Sequence, residues 1–273
     1  MSGPVRVAVK GAQGRMGQRI AALLGETEGV VLAAAMERPQ ASLVGRDLGE
    51  LVPGIQGVTV RDGVEQAMAD ADVLIDFTVK ESTLQDLDTY ARIGKPVVIG
   101  TTGFQPDEVR RIRETLADIP YVFAPNMSVG VNVLFNLVRQ AATALGDDYD
   151  VEILEAHHRY KKDSPSGTAV RLGEVAADAL GRSYPEDAVF HREGMVGERT
   201  RREIGMQVVR GGDIVGDHTV YYVGLGERIE LTHRAHSRDT FVRGAIRAAL
   251  WVAGKPVGAY DMQDVLGFRQ EGA

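Results

Sequence analysis

The chain has 273 residues, enough for two domains of ordinary size or one large α/β unit, and either would bury a substantial core. Its 31 Lys and Arg against 38 Asp and Glu give a formal charge of −7, which argues against a general affinity for nucleic acid or anionic membranes, and 44% hydrophobic with 25% charged residues argues against a disordered polymer. With no cysteine, disulfides, thiolate metal ligands and a cysteine nucleophile are all excluded.

The opening "MSGPVRVAVKG" lacks the apolar run of a signal peptide, and no segment reaches the roughly 18 apolar residues of a membrane span, so a cytoplasmic protein is expected. Five short β-branched runs follow in the first half: "VRVAV" (5–9), "VVLAAAM" (30–36), "DVLIDFTV" (72–79), "PVVIGTT" (96–102) and "PYVFAP" (120–125). Helical patterns separate them. One places Met16, Ile20, Leu23 and Leu24 on one side; another opens with Pro106 and acids and repeats Val109, Ile112 and Leu116. Strand, helix, strand repeated this way predicts a Rossmann-like, doubly wound parallel sheet with helices on both faces.

After residue 128 the pattern changes. A helical "GVNVLFNLVRQAATALG" leads to the strand-like "YDVEILEA", then to "EIGMQVVRG", "HTVYYVGL" and "ERIELTHRA", whose alternation and turn signals predict a largely antiparallel, mixed sheet in an α+β domain. The expected division is therefore a doubly wound first domain over 1–127, a second domain over 128–239, and a helical tail over 240–273 that packs back on the first. Phe241, Ala245, Ala248 and Ala249 form the inner face of that tail.

The first strand runs into "GAQGRMG", with Gly11, Gly14 and Gly17 at intervals of three and a helix after them. This relaxed dinucleotide fingerprint gives a tight turn at Gly11, close approach of backbone to a pyrophosphate at Gly14, and close helix packing at Gly17, with phosphates on the helix's first amides. A tight connection with no ligand has the same glycines. Glu37 ends the second strand twenty residues beyond Gly17, where an acid takes up ribose hydroxyls, and Arg38 beside it could meet a 2′-phosphate, so the pair does not choose between the two nicotinamide dinucleotides. Lys10, at the end of a buried strand, could serve the same phosphate or snorkel outward. Gly100 to Thr102 and Ala124 to Met127 fall at the carboxyl edge of the sheet, where backbone could line the nicotinamide end.

"EAHHRYKKDSPSGTA" (155–169) sets five cationic or titratable side chains, His157, His158, Arg159, Lys161 and Lys162, just before a Ser-Gly-Thr helix start. Adjacent histidines on a strand point to opposite sides unless the strand ends there, and no spacing fits a metal site, so none is expected. A helix start at Gly167 and Thr168 facing cations suits a carboxylate or phosphate, a small dicarboxylate among them; a capped structural helix beside a solvated charge run is the alternative.

These stretches, "GAQGRMG", "GTTGF", "NMSVGVN", "EAHHRYKKDSPSGTA", "RGGDIVGDHTV" and "DMQDVLGF", together resemble the 4-hydroxy-tetrahydrodipicolinate reductase (dihydrodipicolinate reductase) family of bacterial and plant lysine biosynthesis, over about residues 5–268. The resemblance implies an NADH- or NADPH-dependent reductase of that substrate, with a Rossmann-like cofactor domain and a second domain that binds substrate and assembles a homotetramer. It implies catalytic roles for His157 and Lys161, and substrate contacts from His158, Ser166, Gly167 and Thr168. It implies cofactor contacts from Gly11, Ala12, Gln13, Gly14, Arg15, Met16, Glu37, Arg38, Gly100, Thr101, Thr102, Ala124, Pro125, Asn126 and Met127. Two departures stand out: Lys162 where apolar residues are common in the family, and Met127 where aromatic ones are. Rival readings are a nicotinamide-dependent dehydrogenase of another small substrate on the same plan, and a nucleotide-sensing protein without chemistry, which leaves the His, Lys and Ser-Gly-Thr group unexplained.

Overall fold

The computed structural model describes residues 3–269; positions 1–2 and 270–273 of the expected first domain lie outside the described residues. The chain begins with β1 (Val5–Lys10), α1 (Arg15–Gly25), β2 (Val30–Met36), β3 (Val60–Arg61), α2 (Val64–Ala69) and β4 (Val73–Asp76). It continues with α3 (Lys80–Ile93), β5 (Val97–Ile99), α4 (Pro106–Thr115) and β6 (Pro120–Phe123). Next come α5 (Val129–Leu145), β7 (Asp150–His157), α6 (Gly167–Ala179), β8 (Ala188–Val189), β9 (Ile204–Arg210), β10 (Gly216–Val223) and β11 (Arg228–Ala235). The described chain closes with α7 (Asp239–Val252), β12 (Gly258–Tyr260) and α8 (Met262–Val265). Its described residues fall into two compact units, residues 3–128 with 241–269, and Val129–Thr240.

The first unit is built on a seven-stranded sheet of order β12-β6-β5-β4-β1-β2-β3, parallel throughout. Every residue of β4 and β5 is buried, as strands covered on both faces must be. One core gathers Leu74, Leu87, Tyr90, Ile99 and Ile112, and the other gathers Ala12, Ala21, Ala35 and Val60. The helix starts obey local chemistry. In α4, Pro106 stands in the first turn and Glu108 reaches back to the Gln105 amide at 2.6 Å. β3 and β12 are edge strands of two and three residues, too short to show a period in the sequence.

The second unit carries a five-stranded sheet of order β11-β10-β7-β9-β8. The sheet is mixed, with β10 antiparallel to both β7 and β11, and β9 parallel to both β7 and β8. One face buries Val151, Ile153, Met206, Val220 and Tyr222 together with Leu134 and Leu172 of α5 and α6. The buried face of α6 centres on Ala169, Leu172, Val175 and Ala176, while Val170 and Ala179 are only half-buried.

One detail departs from a simple antiparallel succession. β9 does not pair with β10; it takes the opposite edge of β7, so five residues must carry the chain across the end of β7. The crossing is fastened there: the Gly211 amide donates to the His157 carbonyl at 3.0 Å, and the Arg159 amide to the Gly212 carbonyl at 3.2 Å. Thus the "RGGDIVG" stretch arches over the point where the two histidines leave the strand.

Candidate active site

In the first unit the glycine turn joins β1 to α1. Gly11 has φ +79°, open to glycine at little cost, and a Cβ there would stand 2.8 Å from Thr78 Cγ2. A Cβ at Gly17 would stand 2.1 Å from the Gly11 carbonyl oxygen, so helix and turn touch backbone to backbone. Gly14 is the extended N-cap of α1 and brings no side chain to cap it. Glu37, just past β2, accepts the Gln13 amide at 3.0 Å and the Arg38 amide at 3.2 Å, which sets a carboxylate beside the turn with further lone pairs on both oxygens. Arg15 and Arg38 are exposed. These residues fit a nicotinamide dinucleotide: a backbone cradle that any side chain would fill, a helix start, and an acid at ribose distance along the chain.

The other expected cofactor residues lie at the carboxyl ends of β5 and β6. A Cβ at Gly100 would meet the Phe77 ring at 2.1 Å, so only glycine lets that ring lie flat on the turn. Thr101 is buried; its hydroxyl accepts the Thr78 amide at 3.0 Å and the Thr83 hydroxyl at 3.1 Å, which leaves backbone as its offering to a ligand, and Thr102 is exposed. Ala124 and Met127 are buried, Pro125 is exposed, and Asn126 accepts the Ser128 amide at 2.8 Å. The Met127 carbonyl packs on α7, where a Cβ at Gly244 would stand 1.7 Å from it.

Lys10 does not snorkel outward. It is buried, donating to the Ser82 carbonyl at 2.9 Å and the Tyr90 hydroxyl at 2.7 Å and pairing with Asp86 at 2.8 Å. Burial first, and then the neighbouring Asp76, push the Tyr90 phenol well above its ordinary range, so it stays a donor to Asp76 at 2.8 Å. Asp76, wholly buried, also accepts from Thr78 at 2.6 Å and Thr83 at 2.8 Å. The reason Lys10 can end a buried strand is this set of acceptors behind it.

In the second unit β7 ends at His157, so the two histidines part there. His157 Nδ1 lies 2.5 Å from Glu155 Oε2, and its ring stands edge-on to His218 with centroids 5.2 Å apart. His158 is half-buried, with an Nδ1 atom out of water and without a partner among the described residues, which marks a group a ligand could complete. The Lys161 ammonium donates to both Asp163 carboxylate oxygens, at 2.9 and 2.8 Å, and Lys162 is exposed. Burial alone would raise the Asp163 carboxyl, but the Lys161 hydrogen bond, a backbone hydrogen bond and the charges of Lys161 and Arg210 together outweigh it and hold it below its ordinary range.

Ser166, expected among the substrate contacts, stands at the N-cap of α6 with its hydroxyl turned inward. It is buried; its amide donates to Glu155 Oε1 at 2.9 Å, and its hydroxyl accepts the Ala169 amide at 3.2 Å and lies 3.1 Å from His218 Nε2. It therefore caps α6, and Gly167 and Thr168 form the outward part of the helix start. Three groups the sequence did not single out complete the cluster. Glu155 is wholly buried, and Arg210 grips it with two hydrogen bonds of 2.8 Å. Burial would push that carboxyl up; hydrogen bonds from His157, Arg210 and the Ser166 amide override it and hold the group at about 2. His218 is pushed down to about 3, by burial first and then by His157, with Lys161 also close enough to contribute, so it is neutral near pH 7. Only Glu155 left a signal, since i and i+2 share a strand face; Arg210 and His218 depend on strand pairing.

Among the described residues no group of three His, Asp or Glu side chains could hold a metal ion, and no helix is long and apolar enough to cross a membrane. Two family models match the chain, "Dihydrodipicolinate reductase, N-terminus" over residues 5–127 and "Dihydrodipicolinate reductase, C-terminus" over residues 130–266. The chain is 58% identical over 266 residues to a 4-hydroxy-tetrahydrodipicolinate reductase of Geotalea uraniireducens (strain Rf4), covering 97% of this chain and 100% of the relative. It is 57% identical, with the same coverage, to a protein of the same name from Geobacter sp. (strain M21). Among solved structures, a dipicolinate-bound dihydrodipicolinate reductase from Paenisporosarcina sp. TG-14 shares the fold at TM-score 0.75 and 24% identity, over 96% of this chain and 98% of that one. With both halves matched and relatives of this identity along nearly the whole length, the chain belongs to the dihydrodipicolinate reductase family.

Proposed function

We propose that the chain catalyses the NAD(P)H-dependent reduction of 4-hydroxy-tetrahydrodipicolinate to tetrahydrodipicolinate, with loss of water, in diaminopimelate and lysine biosynthesis. The observation that carries the reading is the convergence in one unit of an imidazole held by a buried carboxylate, an ammonium, and the outward start of α6. The name shared by relatives at 57–58% identity supports the substrate, and the dipicolinate described in the solved relative is a dicarboxylate of the same class. The turn from Gly11 to Met16, with Glu37 and Arg38 beside it, would hold NADH or NADPH, together with backbone from Gly100 to Thr102 and Ala124 to Met127. The nicotinamide cofactor supplies a hydride when bound.

The protein's own groups do the rest. Gly167 and Thr168 bind one substrate carboxylate at the helix start, where the dipole favours an anion, and His158 and the Lys161 ammonium neutralise the remaining charge. As the ring carbon accepts hydride, electron density moves to the ring nitrogen, and Lys161 or His157 delivers the proton that balances it. The departing hydroxyl leaves as water by taking a proton while an adjacent ring C–H gives one up, so loss of water is proton-neutral and the reaction as a whole consumes one hydride and one proton. Asp163 keeps the ammonium aimed until substrate arrives.

The test follows NADH and NADPH absorbance with substrate made fresh from pyruvate and aspartate semialdehyde by the condensing synthase. His157→Gln and Lys161→Ala should each lower turnover roughly 10²-fold or more while cofactor binding stays nearly intact. Wild-type turnover in both variants refutes the assignment. The reading extends to a cytoplasmic homotetramer. Supporting assembly is the sheet face turned away from α5 and α6, which carries Leu154, Thr219 and Tyr221 with exposed Val209 and Val223. Sedimentation at the mass of a single chain would rule it out.

A further inference from the structure

Glu155 lies two residues before His157 on β7, so both leave the same face of the strand. Its carboxylate takes four hydrogen bonds. Oε2 faces His157 Nδ1 at 2.5 Å and accepts Arg210 Nη1 at 2.8 Å; Oε1 accepts Arg210 Nη2 at 2.8 Å and the Ser166 amide at 2.9 Å. Two acceptances on each oxygen fill the capacity of a carboxylate and forbid it to rotate without breaking several charge-assisted bonds at once. Arg210 Nη2 also donates to the Asp163 carbonyl at 2.8 Å, which ties the Lys161–Asp163 segment to the same hub.

An ionised carboxylate only accepts, so the ring nitrogen facing it must carry hydrogen, and in the neutral imidazole the other nitrogen is left with its lone pair. That other nitrogen, Nε2, lies beside Gly216, where the backbone brings no side chain: a Cβ there would stand 3.1 Å from it. Resting on the reading of His157 as the acid–base group, we propose that Glu155 is a positioning residue, which fixes hydrogen on His157 Nδ1 and so presents Nε2 to the substrate, with Arg210 holding the carboxylate in that orientation. Burial of Glu155 and its carboxyl held at about 2 keep it an acceptor throughout the working range of pH. Glu155 does not touch substrate; it acts through the imidazole.

The first measurement needs no variant. Long-range ¹H–¹⁵N correlation of the ring nitrogens in the full chain, with His157 assigned by its loss in His157→Gln, should show the neutral ring protonated at Nδ1. Hydrogen on Nε2 overturns the proposal whatever the variants do. The second is Glu155→Gln, whose amide turns a donor toward two of the four donors it must accept. Turnover should fall roughly tenfold to a hundredfold, bounded by the contribution of His157 itself. NADH dissociation should stay within about twofold of wild type, and in a His157→Gln background the second substitution should cost less than about threefold, because both act through one group. Fully additive losses, or a folded Glu155→Gln chain with wild-type turnover, reject it. A wild-type chain that consumes no NAD(P)H with this substrate fails the functional reading alone, since the ring signature is read without substrate.

Discussion

The imidazole of His218 makes the second unit sensitive to acid in a way that can be worked through. Its pKa is lowered from 6.5 to about 3, by burial first, then by His157, His233 and Lys161, with Glu155 pulling the other way. In the unfolded chain the ring binds a proton near 6.5 and in the folded chain only near 3, so between those values the unfolded state holds more protons and stability falls as pH drops. Above about pH 7 the contribution is complete; by about pH 5 the loss is about 2 kcal/mol. Glu155 acts lower down. Its carboxyl shifts from 4.5 to about 2, so its stabilisation is present above 4.5 and is lost only as pH falls from there toward 2. Keeping the measurement above about pH 5 therefore leaves Glu155 out, and comparison with a variant separates His218 from His233, whose imidazole is likewise pushed down by burial. His218→Gln retains an atom to meet Ser166 Oγ but cannot titrate. It should be less stable than wild type at every pH, yet its stability should change by about 2 kcal/mol less across that window. Hydrogen-exchange protection of β10 and α6 amides, corrected for intrinsic rates, reads this unit directly; the single tryptophan, Trp251, lies in the other. Equal pH slopes in wild type and variant would refute the reasoning.

Lys10→Met removes the ammonium from the Tyr90, Ser82 and Asp86 contacts and leaves two carboxylates without their cation. The first unit should lose about 3 kcal/mol, read by urea unfolding at Trp251, and a loss under about 1 kcal/mol would show that the pairing is dispensable. Gly216→Ala places a methyl 3.1 Å from His157 Nε2 and 3.7 Å from His218 Cε1. Turnover should drop about tenfold with cofactor affinity unchanged; an unaltered rate would mean Nε2 is not the working nitrogen.

What the sequence made legible is what local geometry demands. Three glycines at intervals of three foretell a turn that must adopt φ +79° at Gly11 and touch the helix at Gly17, because no other residue fits either place. The doubly wound sheet followed from near-continuous apolar strands between amphipathic helices, and the start of α6 followed from Ser166, Gly167 and Thr168 ahead of a periodic run. The inward turn of Ser166 was not legible, because its partners, Glu155 and His218, come from two strands whose pairing no local pattern states. The same holds for Lys10: a lysine ending a buried strand reads as misplaced until Asp76, Asp86 and Tyr90, more than sixty residues on, supply its environment.

The placement of the proposed catalytic groups is in turn a consequence of the apolar core. Register sets Arg210 opposite His157 across β7 and β9, and His218 opposite Glu155 across β7 and β10. Since side chains alternate, a slip of one residue in either pairing would send its member of the cluster to the far face of the sheet and strip Glu155 or Ser166 of its partner. What forbids the slip is not the polar cluster, whose burial costs energy unless it is complete. The forbidding comes from Val151, Ile153, Met206, Val220 and Tyr222, which lie on the same face as Glu155 and His218 and would be exposed by the same shift. Burying these five side chains under α5 and α6 is worth roughly 1.5–3 kcal/mol each. That sum exceeds what any rearranged hydrogen bonding could return at about 1 kcal/mol a bond. The apolar rows therefore choose the register, and the proposed acid–base group inherits its geometry from them.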